Sequence, residues 1–217
     1  MTDYTEARRA MVDCQVRPSD VTRYAIIEAM LETPRELFVP GPLRSVAYAE
    51  SEISMGNGRV LLPARTFAKM LECAQVRSTD LVLDLAPGLG YSSAVLSRLA
   101  MAVIAIEPDE AMARQASETL SKLEADNVVV TNGDPASGDA GHAPFDVIFI
   151  NGGVEQVPEA LVDQLKVGGR LVAVHIKGDL GQCCVTVKSP AAAAERRIFD
   201  AAAPVLAGFE RAREFNF

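Results

Sequence analysis

The hydrophobic pattern divides this chain near residue 80. Before that point apolar residues recur at helical spacing in three stretches, and after it short unbroken apolar runs alternate with helical ones. TEARRAMVDCQV carries Ala7, Ala10, Met11 and Cys14 close to helical spacing. Pro18-Ser19-Asp20 breaks the pattern and offers a cap for a second helix, VTRYAIIEAMLET, with Tyr24, Ile27, Met30 and Leu31 as its stripe and Pro34 as its end. A third helix is predicted from Thr66 to Val76, with Phe67, Met70, Leu71 and Ala74 on one face. The segment between the second and third, RELFVPGPLRSVAYAESEISMGNGRVLLPA, is rich in Pro and Gly and has no convincing period. A loop that long in a compact domain often covers a site.

From residue 80 the runs LVLDLA, AVIAIE, NVVVTNGD, FDVIFING and RLVAVHI read as strands. Between them lie the helical YSSAVLSRLA, PDEAMARQASETLSKL and a stretch at about 157–165. Strands that are apolar without alternation and joined by helices belong to a parallel sheet covered on both faces. Four right-handed crossovers then predict an open, doubly wound α/β sheet. QCCVTVKS and ERRIFDAAAPVLAG, joined by SPAAAA, are too close for a crossover and predict an antiparallel hairpin on one edge, with a short helical turn at PAAAA. The final ERAREFNF reads equally as an edge strand or a loose end. The expected organisation is an N-terminal helical extension and loop over 1–79 and a sheet domain over 80–217, within one compact unit.

Composition narrows the function. Among 217 residues, 29 acids against 21 Lys and Arg give a net charge of -8. With a pI near 4.9 this argues against a broad nucleic-acid surface, which needs clustered positive charge. Cys14, Cys73, Cys183 and Cys184 have neither a disulfide-scaffold density nor zinc-site spacing, and adjacent Cys183 and Cys184 would face opposite sides of a strand. They read as small hydrophobes in a reducing compartment, and no metal site is expected. The N-terminus shows no apolar signal region and no apolar run approaches the length of a membrane span, so the expected location is cytoplasmic.

The chemistry concentrates in LDLAPGLGYSSAVL, residues 83–96. At a strand-turn-helix, Gly88 and Gly90 let the backbone approach a ligand, and the helix start offers free N–H groups. Asp84 precedes the turn, where it meets a ligand's ammonium or caps the loop itself. Glu107 ends the next strand, 17 residues after Gly90, where a carboxylate can accept both hydroxyls of a ribose. Asp134 ends the third strand and either meets an adenine edge or forms an Asx-turn before Pro135. There is no full G-x-G-x-x-G and no Walker lysine, and an acidic rim repels a diphosphate. Ribose, adenine and a positively charged amino-acid end together describe S-adenosylmethionine.

On these residues the chain resembles the protein-L-isoaspartate (D-aspartate) O-methyltransferase family over almost its whole length. The matching segments are MVDCQV, AMLETPRELFVP, AYAESEISMGNG, the glycine loop, NVVVTNGD, APFDVIFING and QLKVGGRLV, in that order. The resemblance implies a Rossmann-like class I methyltransferase fold, with a seven-stranded mixed sheet, an antiparallel C-terminal hairpin and an N-terminal helical extension. It implies methylation of isoaspartyl carboxylates in damaged protein or peptide substrates, with S-adenosylmethionine as cofactor and S-adenosylhomocysteine as product. It assigns Asp84, Gly88 and Gly90 to the methionine end of the cofactor, Glu107 to the ribose and Asp134 to the adenine, with Ala86 also in the cofactor-binding loop.

The same resemblance exposes departures. Where the family has Thr-Ile-Ser-Gln-Pro, this chain has Val60-Leu61-Leu62-Pro63-Ala64, so Leu62 stands at the substrate serine. Arg59 replaces the loop glutamine, Asn151 the threonine after the fourth strand, and Ala86 the first glycine of the cofactor loop. Ala86 is tolerable if its φ stays negative. Leu62 offers no donor to a carboxylate, and Arg59 and Arg65 either compensate by bidentate pairing or are solvated. His175 and His142 read as a strand-end and a loop histidine. Three functions follow: isoaspartyl methylation, methylation of a different acceptor, or a noncatalytic cofactor-binding regulatory protein. No nucleic-acid or membrane partner is expected, and monomer and homodimer are both open.

Overall fold

A computed structural model describes residues 3–211. Helix α1 (Tyr4–Met11) starts where Asp3 Oδ1 accepts the amides of Thr5 and Glu6 at 2.9 and 3.2 Å. It runs into a π-turn (Val12–Val16) and a 3₁₀ turn (Arg17–Ser19) before α2 (Tyr24–Glu32). Asp20 does not cap α2 as its sequence position suggested. It takes φ 60° and closes the preceding turn, while Arg23 at the helix start donates to the Val76 carbonyl at 2.6 Å. The stretch expected to lack regular structure contains 3₁₀ turns at Arg35–Phe38 and Gly41–Val46 and a hairpin, β1 (Ile53–Gly56) and β2 (Arg59–Leu61). Its turn is Asn57-Gly58, both with positive φ, 52° and 72°. That is the dipeptide a tight hairpin requires. Helix α3 (Ala64–Ala74) follows.

The main sheet contains β3 (Leu81–Leu85), β4 (Ala102–Glu107), β5 (Val128–Asn132), β6 (Phe145–Val154), β7 (Leu165–Lys177), β8 (Leu180–Lys188) and β9 (Ala193–Asp200). Their order is β5-β4-β3-β6-β7-β8-β9. The β5-to-β7 pairs are parallel and the β7–β8 and β8–β9 pairs antiparallel. This is the mixed seven-stranded sheet with a C-terminal hairpin that the pattern and the resemblance implied. The crossovers carry α4 (Tyr91–Ser97), α5 (Glu110–Lys122) and α6 (Glu159–Asp163).

The strands are apolar throughout because alternate residues feed two cores. Val82, Val103, Val147, Phe149, Val172 and Val174 point into one core, shared with Met11, Val16, Ile26, Met30, Phe67 and Leu71 of the N-terminal helices. Leu83, Leu85, Ile104, Ile106, Ile148, Ile150 and Leu171 point into the other, with Leu161, Leu206 and Phe209. Each large apolar side chain so buried contributes roughly 1.5–3 kcal/mol. Helical cover is unequal: among the described residues the second face has only the five residues of α6 and irregular chain.

The tail also differs from expectation. Strand β9 starts at Ala193 with no helical turn before it, because the Ser189 hydroxyl and amide both bond to Ala192 O, at 2.6 and 3.0 Å, and shape a tight connection. The strand stops at Asp200 rather than continuing through Gly208. Residues 201–209 fold back on the end of β6, where Gly153 N donates to Pro204 O at 2.7 Å and Leu206 N to Gly153 O at 2.9 Å. A Cβ on Gly153 would stand 2.6 Å from Ala203 O, so glycine admits this backbone. The expected strand or loose end at ERAREFNF falls largely on 212–217, outside the described residues.

Candidate active site

The strand order reverses at β3, with β4 on one side and β6 on the other. A crevice forms outside the carboxyl ends of strands at such a point. Here it is lined by Met55, Arg59, Leu62, Phe67, Gly88, Tyr91, Ser92 and Asn151. The β3–α4 turn approaches it with Ala86 at φ 56°, Gly88 at φ 63° and Gly90 at φ 96°. Ala86 therefore occupies the left-handed region, the condition under which alanine in place of glycine is strained, at a cost of roughly 1–2 kcal/mol. The Ala86 N–H bond to Ile106 O at 2.8 Å holds it there. Gly90 serves packing as well, since a Cβ would lie 3.1 Å from Ala116 Cβ on α5.

Asp84 is fully buried behind this turn. Its Oδ2 accepts the hydroxyls of Ser92 (2.7 Å) and Ser93 (2.6 Å), and its Oδ1 accepts Asn151 Nδ2 (2.6 Å). Burial raises its pKa to about 6, opposed by these three hydrogen bonds and reinforced by the nearby charge of Glu107. Asp84 thus reaches the cleft through Ser92 and Asn151, which line it. Asn151 spends its amide on Asp84 and on Leu85 O at 3.0 Å, holding β6 to β3.

Glu107, also fully buried, ends β4 beside the turn. Gly88 N donates to its Oε2 at 2.7 Å and Asp109 N to its Oε1 at 3.0 Å. Arg59, at the start of β2, adds a bidentate pair: Nη1 to Oε1, and Nη2 to Oε2 at 2.9 Å. Nη2 also reaches Ala86 O at 2.9 Å. The bidentate carboxylate partner expected for Arg59 is therefore the protein's own Glu107. Arg65 lies elsewhere: exposed, with Nε donating to Ser19 Oγ at 3.2 Å.

Leu62 is buried on the cleft wall and belongs to the larger core. Its carbonyl accepts Arg35 Nη2 at 2.7 Å. Arg35 is fully buried, donates through Nε to Ala47 O at 2.8 Å and lies 4.7 Å from the Tyr91 ring centroid. Burial lowers its pKa, and Tyr91 partly offsets this. Phe67 completes the aromatic wall, 5.4 Å from Tyr91 and 5.6 Å from Phe149 between ring centroids.

The remaining sequence candidates stand apart. Asp134 is exposed; its Oδ1 accepts Ala136 N (3.0 Å) and its Oδ2 the Ser137 hydroxyl (2.7 Å), as an Asx-turn does. His142 pairs with Asp139 at 2.7 Å in a loop. His175 Nδ1 lies 3.3 Å from Glu195 Oε2 on the sheet face, Cys184 Sγ lies within 4.8 Å of ligand atoms of both, and burial lowers the His175 pKa. Sequence reasoning missed Ser92, Ser93 and Arg35. The serines follow the glycine turn directly, so two hydroxyls in the first turn of a helix, after a strand acid, were an available signal. Nothing local marks Arg35, whose partners are 12 and 27 residues away.

Comparison with known proteins identifies the family and the fold. The family model for protein-L-isoaspartate(D-aspartate) O-methyltransferase matches residues 7–197. A protein-L-isoaspartate O-methyltransferase of Roseiflexus castenholzii is 40% identical over 170 residues, covering 78% of each chain. A protein-L-isoaspartate O-methyltransferase 2 of Marinobacter nauticus is 39% identical over 186 residues, 85% of each. A solved structure named protein-L-isoaspartate O-methyltransferase superposes with TM-score 0.81 at 23% identity, over 94% of this chain and 67% of that one, and shares its fold.

Proposed function

This chain belongs to the protein-L-isoaspartate (D-aspartate) O-methyltransferase family, and from that premise we propose that it is an S-adenosylmethionine-dependent methyltransferase that esterifies the isoaspartyl carboxylate of damaged proteins or peptides. The observation that carries the reading is the placement of the Gly88 turn, buried Asp84 and buried Glu107 at the carboxyl ends of β3 and β4, where the strand order reverses. A Plasmodium falciparum structure described as a protein-L-isoaspartate O-methyltransferase in complex with S-adenosyl-L-homocysteine has the same fold, with TM-score 0.79 at 15% identity.

The residues present fit this cofactor at its methionine end. Gly88 leaves room above the turn, and the Asp84 charge behind Ser92 and Asn151 favours an ammonium. At the ribose end Glu107 fits once Arg59 withdraws. Asp134 keeps a lone pair on each oxygen for an adenine amine, because its turn uses only one per oxygen. S-adenosylmethionine, when bound, supplies an electrophilic methyl group on a sulfonium. The protein needs little acid–base machinery, because a carboxylate nucleophile is already ionised at neutral pH. Its task is alignment and exclusion of water. Phe67, Tyr91 and Leu62 form a dry wall for that purpose, and Arg35 fixes the wall by holding the Leu62 carbonyl.

A second reading, the same chemistry on another acceptor, is favoured by Leu62 at the position of the family serine. Methyl transfer to an isoaspartyl peptide measured against its aspartyl twin separates the two. Preference for the isoaspartyl peptide supports the first, and equal or absent transfer removes it.

A further inference from the structure

Glu107 has two oxygens with about four lone-pair sites, and four donors fill them. Oε1 takes Arg59 Nη1 and the Asp109 amide, and Oε2 takes Arg59 Nη2 and the Gly88 amide. The two amides belong to the backbone around the strand ends and remain while the fold remains. The guanidinium is the removable pair, and it occupies both oxygens side by side, as a ribose diol would. Arg59 and a ribose are therefore mutually exclusive partners of Glu107.

The carrier of Arg59 is suited to exchange. Arg59 follows the Asn57-Gly58 turn of β1–β2, a two-stranded sheet separate from the main one. Its side chain can swing without breaking a bond of the seven-stranded sheet. Its other polar contacts are Ala86 O at 2.9 Å and Met112 Sδ at 3.9 Å, which compensate the charge far less than a carboxylate does. A displaced guanidinium in this partly buried cleft needs a new anion, since an unpaired buried charge is strongly unfavourable. Leu62, on the same cleft wall, has no donor for an acceptor carboxylate.

We propose that Arg59 is a two-position specificity residue: it neutralises Glu107 in the cofactor-free protein and, displaced by the ribose, becomes the carboxylate-recognising group of the acceptor site. The proposal rests on the cofactor reading above. It makes binding ordered, nucleoside first and carboxylate second, and it restricts acceptors to carboxylates, because a neutral hydroxyl or amine leaves the guanidinium unpaired.

Calorimetry with S-adenosylhomocysteine tests the first position. Arg59→Gln and Arg59→Met remove the competitor, so both bind it about tenfold or more tightly, as expected from the net strength of a charged hydrogen-bonded pair. The second position is read in steady-state kinetics as a rise in the isoaspartyl peptide KM of about tenfold or more, larger than the change in kcat. A measurement on the unsubstituted protein needs no variant: the peptide binds in the presence of S-adenosylhomocysteine and at least tenfold more weakly without it, a gap a coupling free energy can supply. Unchanged or weaker S-adenosylhomocysteine affinity in both variants, or peptide binding indifferent to the nucleoside, overturns the proposal and leaves the cofactor reading intact. Failure of S-adenosylhomocysteine to bind any of the three proteins overturns both.

Discussion

Replacing Asp84 with asparagine isolates the energetic cost of a buried charge. In the folded protein the Asp84 carboxyl is raised by burial from 3.8 to about 6, so the folded state holds its proton more tightly than the unfolded chain. The stability this contributes is fully present below the unfolded pKa and is lost as pH rises through the folded one. The displacement is about two units, so roughly 3 kcal/mol present at low pH is lost by neutral pH, about half of it by pH 5. The introduced asparagine has the shape of the protonated acid but does not titrate. Denaturant unfolding of both proteins from pH 4 to pH 7.5 is the assay. The stability of the native protein relative to Asp84→Asn should fall by about 2.5 kcal/mol across that range, most of it before pH 6. A difference that stays flat, or that moves in favour of the native protein as pH rises, would show that the three hydrogen bonds outweigh burial and refute the reasoning.

The other predictions concern the rim of the same cleft. Glu107→Ala should weaken S-adenosylhomocysteine binding by about 1–3 kcal/mol, through the loss of charged hydrogen bonds; an unchanged dissociation constant removes Glu107 from the ribose. Leu62→Ser should raise the rate of isoaspartyl methylation if only a hydroxyl is lacking, while lowering stability by about 2–4 kcal/mol because a buried side chain is lost from the core. Activity that stays level in a folded Leu62→Ser protein removes position 62 from acceptor recognition. Gly90→Ala combines a positive φ with a 3.1 Å approach to Ala116 Cβ, so chemical unfolding should show a loss of about 2–4 kcal/mol, and a loss below about 1 kcal/mol would contradict the packing role.

The parallel sheet was legible because its residues are governed by local pattern. Val147 and Ile148 are both apolar since one faces each core, and no other period produces such runs at crossover spacing. Glu107 and Asp84 were legible as strand-end acids, and the turn glycines by their positions between strand and helix. What remained hidden depends on partners far along the chain. Arg59 meets a carboxylate 48 residues away, Asn151 an aspartate 67 residues away, and Arg35 two carbonyls 12 and 27 residues away. The hairpin carrying Arg59 is different, because Asn57-Gly58 marked it and the surrounding Pro and Gly content masked the signal. The φ of Ala86 was not legible, because the turn imposes it on whichever residue stands there.

The fold-back of 201–209 onto Gly153 has a consequence for the order of assembly. Strands β3, β4 and β6 emerge with one face ready to meet the N-terminal helices already made, so half of the sheet has its cover waiting. The opposite face has Leu161 of α6 and little else until Leu206 and Phe209 arrive, more than fifty residues after β6 begins. Closing a loop of that length precedes any reward from the contact, which makes it a late step. Through that interval Ile148, Ile150 and Leu171 are open to other chains, so the stage most vulnerable to aggregation is set by a nine-residue segment with no regular structure of its own.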